Sequence, residues 1–250
     1  YVLDEGIFLT FGFPNKPAYY SARAKGQWFD AARIPVLVTH FNTYKAITEK
    51  YEKLRRIEPL TKKFSRFVDY FFSRKRKYGV PSIENLRITE ASCFDERIDK
   101  FWNRVSKNHK IIVVRNRKYL NWRYFDRPDK DYDVLLAEKV GQIEGYLVLS
   151  AQKSKNRKVG YIVDILSGSK DVALNLVHES IEHLSRQSVD SIKCLMLKDN
   201  LYYEALKESG FTSHFQQEQR FIARIISRQF FQPYKEAKEW YVTYGDSDYV

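Results

Sequence analysis

Hydrophobic and polar positions follow a strand-like period in some segments and a helix-like period in others, which predicts a mixed α/β fold. Near the start, residues 7–11 and 34–39 are apolar and rich in β-forming residues. Residues 18–25 between them predict a short helix. A piece of this size cannot bury both faces of its strands. It therefore needs further strands, either from the rest of the chain or from residues upstream.

Residues 43–77 predict two helices that are separated at Pro59, a residue suited to the first turn of a helix. The apolar residues of the second helix share one face: Leu60, Phe64, Phe67, Phe71 and Phe72. We expect this face to be buried against the protein, because so large an apolar stripe is unfavourable in water. The alternative is that the helix over residues 60–77 binds an anionic membrane surface.

The remaining residues, 84–250, predict the element order βααβββαβαββ. Strand 159–166, helix 171–186 and strand 192–197 form a right-handed βαβ unit, so this pair of strands is expected to be parallel. The other strand pairs are expected to be antiparallel, as at the hairpin signal Val140–Gly141. The prediction is an α/β (α+β) fold with a mixed, mostly antiparallel, twisted sheet flanked by helices.

Composition narrows the class of protein. Of the 250 residues, 44% are hydrophobic and 16% aromatic, which excludes a disordered chain. No apolar run approaches the roughly 20 residues of a membrane span. Cys93 and Cys194 lie far apart, with no CxxC pair and no histidine cluster nearby. We therefore expect neither a disulfide scaffold nor a bound metal, and we expect a cytoplasmic location.

Positive charge is concentrated in one segment. The formal net charge is +12, and residues 45–78 alone contribute +8, from twelve Lys or Arg against four Asp or Glu. Nucleic-acid binding needs basic residues distributed over a binding face, and the sequence contains no recognised nucleic-acid motif. We therefore expect no nucleic-acid partner, whereas a peripheral membrane contact through residues 60–77 stays open.

Several short motifs carry a resemblance to one family. Asn15 is followed three residues later by Ala18 and eleven residues later by Gly26. Asn200 similarly precedes the pair Gly210–Phe211. With the element order, this spacing resembles the GNAT superfamily, the acetyl-CoA-dependent N-acyltransferases. Three segments are more specifically similar to uncharacterised tandem-GNAT proteins of bacteria and archaea: residues 11–15, 119–124 and 245–248.

The resemblance implies three regions and an activity. Residues 1–41 correspond to the C-terminal part of a first GNAT-like unit, residues 42–83 to a basic amphipathic helical linker, and residues 84–250 to a complete GNAT-like domain. The implied function is transfer of an acetyl group from acetyl-CoA to an amine. Such proteins often accompany surface-polysaccharide synthesis, so the implied acceptor is a small-molecule amine or sugar, such as an amino sugar. The alternative is a catalytically inactive GNAT-fold module that binds or scaffolds.

The family holds the pyrophosphate of acetyl-CoA on a glycine-rich loop between its fourth strand and third helix. The cofactor-binding candidates that the resemblance implies are Leu166, Gly168, Ser169, Lys170, Asn15 and Asn200. The loop keeps one glycine and lacks the arginine and second glycine of the family. We therefore expect weak or no acetyl-CoA binding. The alternative to a phosphate site is an ordinary capped turn, with Asp171 as cap or dipole partner.

GNAT chemistry needs a base for the amine and an acid for the leaving thiolate. Asp164 is the candidate base, because a carboxylate inside an apolar strand is costly unless it is paired or functional. The alternative is a structural ion pair, for example with Arg123. Tyr203 is the candidate acid, although the family's tyrosine position is occupied here by Leu206. The substrate-side candidates are Arg123, Tyr124, His214 and Asp246. For the turn containing Asp246, the alternative is a solvated chain end.

Overall fold

One sheet of eight strands forms the centre of the computed structural model, which describes residues 9–41, 43–51, 58–77, 79–154, 157–226 and 236–247. In chain order the strands are β1 (Leu9–Gly12), β2 (Trp28–His40), β3 (Leu86–Ala91), β4 (Ile111–Ile112), β5 (Asp133–Lys139), β6 (Gln142–Ser154), β7 (Arg157–Ser167), β8 (Ser191–Leu195), β9 (Thr212–Ile225) and β10 (Trp240–Tyr241). The α-helices are α1 (Lys16–Lys25), α2 (Thr43–Lys50), α3 (Glu58–Lys77), α4 (Arg97–Val105), α5 (Arg117–Tyr124), α6 (Lys170–Arg186) and α7 (Leu201–Glu208). The spatial order of the large sheet is β1-β9-β2-β8-β7-β6-β5-β3.

Strand directions in this sheet agree with the prediction. β7 and β8 are parallel and are connected through α6. The other neighbouring pairs of the large sheet are antiparallel. At the β5–β6 hairpin, Val140 and Gly141 have φ angles of 50° and 74°, the left-handed conformation that a type I′ turn requires. The predicted mixed, mostly antiparallel fold is therefore confirmed.

The structure departs from the predicted order βααβββαβαββ by containing β4, which that order lacks, and at the last predicted strand, near residues 240–244. Only Trp240 and Tyr241 are in a strand there. They pair in parallel with β4 and so form a separate two-stranded sheet. A short 3-10 helix, Tyr244–Asp246, follows, because Thr243 and Asp246 form a capping box that ends the extended backbone.

Strand β2 joins the N-terminal residues to the rest of the fold. It lies between β8 and β9 and pairs antiparallel with both. The further strands that residues 1–41 require thus come from the rest of the chain. In turn, β2 connects β9 to β8, so the strands of residues 84–250 form one continuous sheet only when β2 is included. Four side chains of β2 are at most 3% exposed: Ile34, Val36, Leu37 and Val38.

The basic helix α3 does not bury its apolar face. It packs against α2, and its two buried side chains among those that the structure describes are Thr61 and Ser65. The expectation of a buried stripe is wrong for three residues that are 61–69% exposed: Leu60, Phe64 and Phe67. Small side chains allow a closer helix contact than phenylalanines do. The side chains of residues 68–77 lie outside the described part. Within the described ranges, no helix combines the length and hydrophobicity that crossing a bilayer requires.

Candidate functional site

The turn between β7 and α6 corresponds to the predicted phosphate loop. Gly168 donates its N–H to the carbonyl oxygen of Glu144 at 2.9 Å. Ser169 is the N-cap of α6, because its hydroxyl accepts the N–H of Val172 at 3.3 Å. The cap is therefore Ser169, and Asp171 lies inside the first helical turn. Two N–H groups of this turn are already bonded within the chain.

Carboxylates surround the same turn. The Nζ atom of Lys170 lies 2.7 Å from Oε1 of Glu208 and 3.3 Å from Oε2 of Glu204. Hydrogen bonds to these two glutamates raise the pKa of Lys170. On the other side, Glu144 pairs with Arg104 at 2.8 Å. A pyrophosphate would meet like charges here, and the two cations that could attract it, Lys170 and Arg104, are both paired with glutamates.

Asp164 lies at the centre of a buried hydrogen-bond network and is 1% exposed. Five donors reach its carboxylate, at 2.9–3.1 Å: Nε of Arg115, the hydroxyls of Tyr124, Tyr146 and Thr243, and the N–H of Ile165. A carboxylate offers about four lone-pair positions. These donors therefore use its whole hydrogen-bonding capacity. Its ion-pair partner is Arg115, and not Arg123 as the sequence suggested. Leu166, the loop candidate two residues further, is fully buried in β7.

Arg115 joins two buried carboxylates. Its Nη2 atom lies 2.9 Å from Oδ2 of Asp246, and the guanidinium also donates to the carbonyl oxygen of Val113 at 2.8 Å. Burial lowers the pKa of Arg115, but the charges of Asp164 and Asp246 outweigh burial and raise it well above its ordinary value. Burial raises the pKa of Asp246, against the opposing charge of Arg115. The network thus places one arginine between two acidic groups.

Two tyrosines of the network act as hydrogen-bond donors. Burial, followed by the charge of Asp164, raises the pKa of both Tyr124 and Tyr146 well above the ordinary value. Their hydroxyls therefore stay protonated and point their protons at the carboxylate of Asp164, at 3.1 Å and 2.9 Å.

The turn after β10 is buried and fixed by Arg123. This arginine donates to the carbonyl oxygen of Gly245 at 3.0 Å and to that of Ser247 at 2.7 Å. Position 245 requires glycine, because an added Cβ would lie 2.2 Å from the hydroxyl of Tyr124. The segments 119–124 and 245–247, which carry the sequence resemblance, thus contact each other. In this structure Arg123, Tyr124 and Asp246 contribute to fixing residues 243–247.

The remaining candidates lie apart from this network. Asn15 caps α1 by accepting the N–H of Ala18 at 3.0 Å. Asn200 caps α7 by accepting the N–H of Tyr203 at 2.8 Å. Both asparagines therefore mark the start of a helix. Tyr203 is half-buried in the first turn of α7. His214 lies in β9, and its side chain is outside the described part.

Sequence reasoning missed three residues of the network around Asp164: Arg115, Tyr146 and Thr243. The one local signal is that Arg115 directly follows the apolar run 111–114. Tyr146 has no such signal, because 18 tyrosines are spread over the chain. In the part that the structure describes, no group of three or more His, Cys, Asp or Glu side chains is placed to hold a metal ion.

Comparison with known proteins gives likeness in structure only. No family model and no curated protein matches the sequence. A GCN5-related N-acetyltransferase from Anabaena variabilis ATCC 29413 matches with a TM-score of 0.54 at 10% identity, over 90% of this chain and 48% of that chain. A conserved protein of unknown function from Enterococcus faecalis V583, a probable N-acyltransferase, matches with a TM-score of 0.55 at 12% identity, over 92% and 48%.

This chain therefore spans about half the length of each of the two matched structures. Identities of 10% and 12% establish the fold and leave the chemistry to be argued from the residues. The run βββαβαβ from β5 to β9, with its parallel pair β7–β8, agrees with the element order that forms part of the sequence resemblance. The chain has the fold of the GNAT superfamily, the GCN5-related N-acetyltransferases.

Proposed function

We propose that the described unit is a non-catalytic GNAT-fold module of an N-acyltransferase. The proposed activity of the whole protein is acetyl transfer from acetyl-CoA to a small-molecule amine, with an amino sugar in surface-polysaccharide synthesis as the acceptor. Its support is the fold and the description of the two matched proteins as an N-acetyltransferase and a probable N-acyltransferase. The division that the resemblance implies, residues 1–41, linker 42–83 and residues 84–250, is kept with one change: β2, from the first segment, completes the sheet of the last.

One observation carries the non-catalytic role: the groups that acetyl transfer would need in this unit are already bonded to other groups of the chain. Asp164 is buried in the core, and its carboxylate accepts hydrogen bonds from five donors. A general base must lie within hydrogen-bond reach of the proton that it removes. Lys170 is paired with two glutamates, and the N–H of Gly168 is bonded to Glu144. The residues present therefore do not fit the pyrophosphate of acetyl-CoA.

Calorimetric titration of the chain with acetyl-CoA tests this role. We expect no binding at micromolar concentrations, because the loop has one glycine and carboxylates on both sides. With acetyl-CoA and glucosamine present, the chain is expected to release the CoA thiol no faster than buffer alone does. Gly168→Trp is the control, since its side chain fills the space beside Glu144. A micromolar or tighter dissociation constant that disappears in Gly168→Trp contradicts the non-catalytic role.

The exposed face of α3 supports a second proposal, binding to an anionic membrane surface. Leu60, Phe64 and Phe67 present an apolar stripe to solvent, and three exposed basic residues flank it: Lys62, Lys63 and Arg66. Apolar insertion combined with positive charge is the pattern of helices that lie in a lipid interface. An apolar stripe contributes nothing to phosphate contacts in nucleic acid, so lipid fits this face better.

Co-sedimentation with vesicles tests the membrane proposal. We expect the chain to sediment with phosphatidylserine-containing vesicles at low salt and to be released at high salt, because salt screens the attraction. The double variant Phe64→Ser and Phe67→Ser is expected to abolish sedimentation. The matched control is Val114→Ser with Val140→Ser, which removes exposed apolar side chains elsewhere. Absence of binding by the unmodified chain, or equal loss in the control, rejects the proposal.

A further inference from the structure

The parallel strands β7 and β8 diverge within the sheet. Their pairing covers Val159–Ile162 against Ser191–Cys194. β8 ends at Leu195, whereas β7 continues to Ser167. Beyond Ile162, β7 therefore has β6 on one side, and none of the described strands pairs with it on the other. A strand edge without a partner offers N–H and C=O groups to any chain-like ligand that carries amides.

Side chains of this protein occupy that edge. The hydroxyl of Tyr202 accepts the N–H of Ser167 at 3.0 Å and donates to the carbonyl oxygen of the same residue at 3.2 Å. The hydroxyl of Tyr241 donates to the carbonyl oxygen of Ile165. The N–H of Ile165 is bonded to the carboxylate of Asp164 at 3.0 Å. All four backbone polar groups of Ile165 and Ser167 are thus bonded to side chains.

The rings of Tyr202 and Tyr241 also fill the space beside this strand edge. Tyr202 is 1% exposed and Tyr241 is 2% exposed. Their rings meet edge to face, with centroids 5.2 Å apart, which is a favourable aromatic geometry. Burial raises the pKa of Tyr202 to about 12, so its hydroxyl keeps the proton that it donates to Ser167. Because the two rings are buried and the backbone groups beside them are bonded, this arrangement leaves no room for a ligand.

The segment that carries Tyr241 is fastened at several points. Its strand pairs with β4, and the hydroxyl of Thr243 donates to Asp164 at 3.1 Å. Arg115 holds Asp246, and Arg123 holds the two carbonyl groups that flank it. These contacts are buried, so displacing the segment would leave several charged groups without partners.

We propose that residues 240–247, together with Tyr202, are a permanent internal occupant of the cleft between β7 and β8. The tyrosine hydroxyls make the strand-edge hydrogen bonds that the amides of a pantetheine arm would otherwise make. The motif segments 119–124 and 245–247 serve to seat this occupant. The inference rests on the proposed function, because it gives the physical reason why this unit takes no acyl-CoA.

Hydrogen exchange at the amide of Ser167 tests the occupant directly. In the unmodified chain this amide is expected to exchange slowly, although no strand pairs with it on that side. Tyr202→Phe removes the hydroxyl and is expected to speed exchange at Ser167 at least tenfold. Tyr203→Phe, the neighbouring tyrosine on α7, is the matched control and is expected to leave exchange unchanged. Unchanged exchange in Tyr202→Phe overturns the proposal.

Pantetheine lacks the nucleotide and its pyrophosphate. It therefore tests binding in the cleft independently of the loop at Gly168. Millimolar pantetheine is expected to change neither the melting temperature of the unmodified chain nor exchange over residues 163–167. Slower hydrogen exchange of these residues in the presence of pantetheine overturns the proposal. This measurement uses the unmodified chain, so it remains decisive if Tyr202→Phe does not fold. Acetyl-CoA binding that is lost in Gly168→Trp, without pantetheine binding, rejects the proposed function and leaves the occupant intact. The two proposals therefore fail in distinguishable ways.

Discussion

Replacing Arg115 with methionine is expected to lower the free energy of unfolding by about 3–5 kcal/mol, the cost of breaking a buried ion pair by removing one partner. The guanidinium is 1% exposed and lies between Asp164 and Asp246. Methionine has a similar length and fills part of the space, so the loss reports the two stranded carboxylates rather than a cavity. Urea unfolding at neutral pH measures the difference.

Arg117→Met is the matched control, because it makes the same substitution two residues further on an exposed side chain. It is expected to change stability by less than about 0.5 kcal/mol. A cost below about 1 kcal/mol for Arg115→Met would show that the network contributes little to holding the chain end.

The loss of unfolding free energy in Arg115→Met is also expected to depend on pH. Burial raises the pKa of Asp246 in the folded protein, and Arg115 opposes this effect. Without Arg115 the pKa of Asp246 rises further. A raised folded pKa means that the stability contributed by the group is present below the unfolded pKa and is lost as the pH increases. The difference between variant and unmodified chain should therefore shrink as the pH falls from 7 towards 4.

Removing residues 1–83 is expected to abolish cooperative unfolding of the remaining residues 84–250. Without β2, strands β8 and β9 lose the partner that lies between them. Four side chains of β2 are almost fully buried: Ile34, Val36, Leu37 and Val38. At about 1.5–3 kcal/mol for each buried side chain, they contribute about 6–12 kcal/mol. That sum is comparable to the whole stability of a typical domain, about 5–15 kcal/mol.

Point variants of the full chain measure how much the buried side chains of β2 contribute to stability, without removing any residues. Leu37→Ala is expected to cost about 2–5 kcal/mol, whereas the volume-conserving Leu37→Met is expected to cost less than about 1.5 kcal/mol. Thermal unfolding followed by circular dichroism measures each. Cooperative unfolding of residues 84–250 at the midpoint of the full chain would show that this region is complete without β2.

Local patterns were sufficient for much of the fold. Gly141 favours the hairpin, because glycine readily adopts the positive φ that the turn requires. The apolar runs on both sides of α6 predict the buried βαβ unit. The asparagines Asn15 and Asn200 were recognised by spacing, and the structure shows them as helix caps. The exposed phenylalanines of α3 were misjudged, because an amphipathic period shows that a face is apolar and does not show what covers it.

The sequence by itself determined most of the elements and the parallel pair β7–β8, because these depend on periodicity and on turn residues within a few positions. The GNAT-like fold was implied by the resemblance of short motifs and of the element order. The sequence also singled out Asp164 as an unusual buried carboxylate, but the partner of that carboxylate is 49 residues away in sequence. Only the tertiary structure decided that Arg115 neutralises it, that β2 enters the sheet between β8 and β9, and that two tyrosines close the strand edge. Contacts between residues distant in sequence leave no periodic trace, since each side chain alone is compatible with many partners.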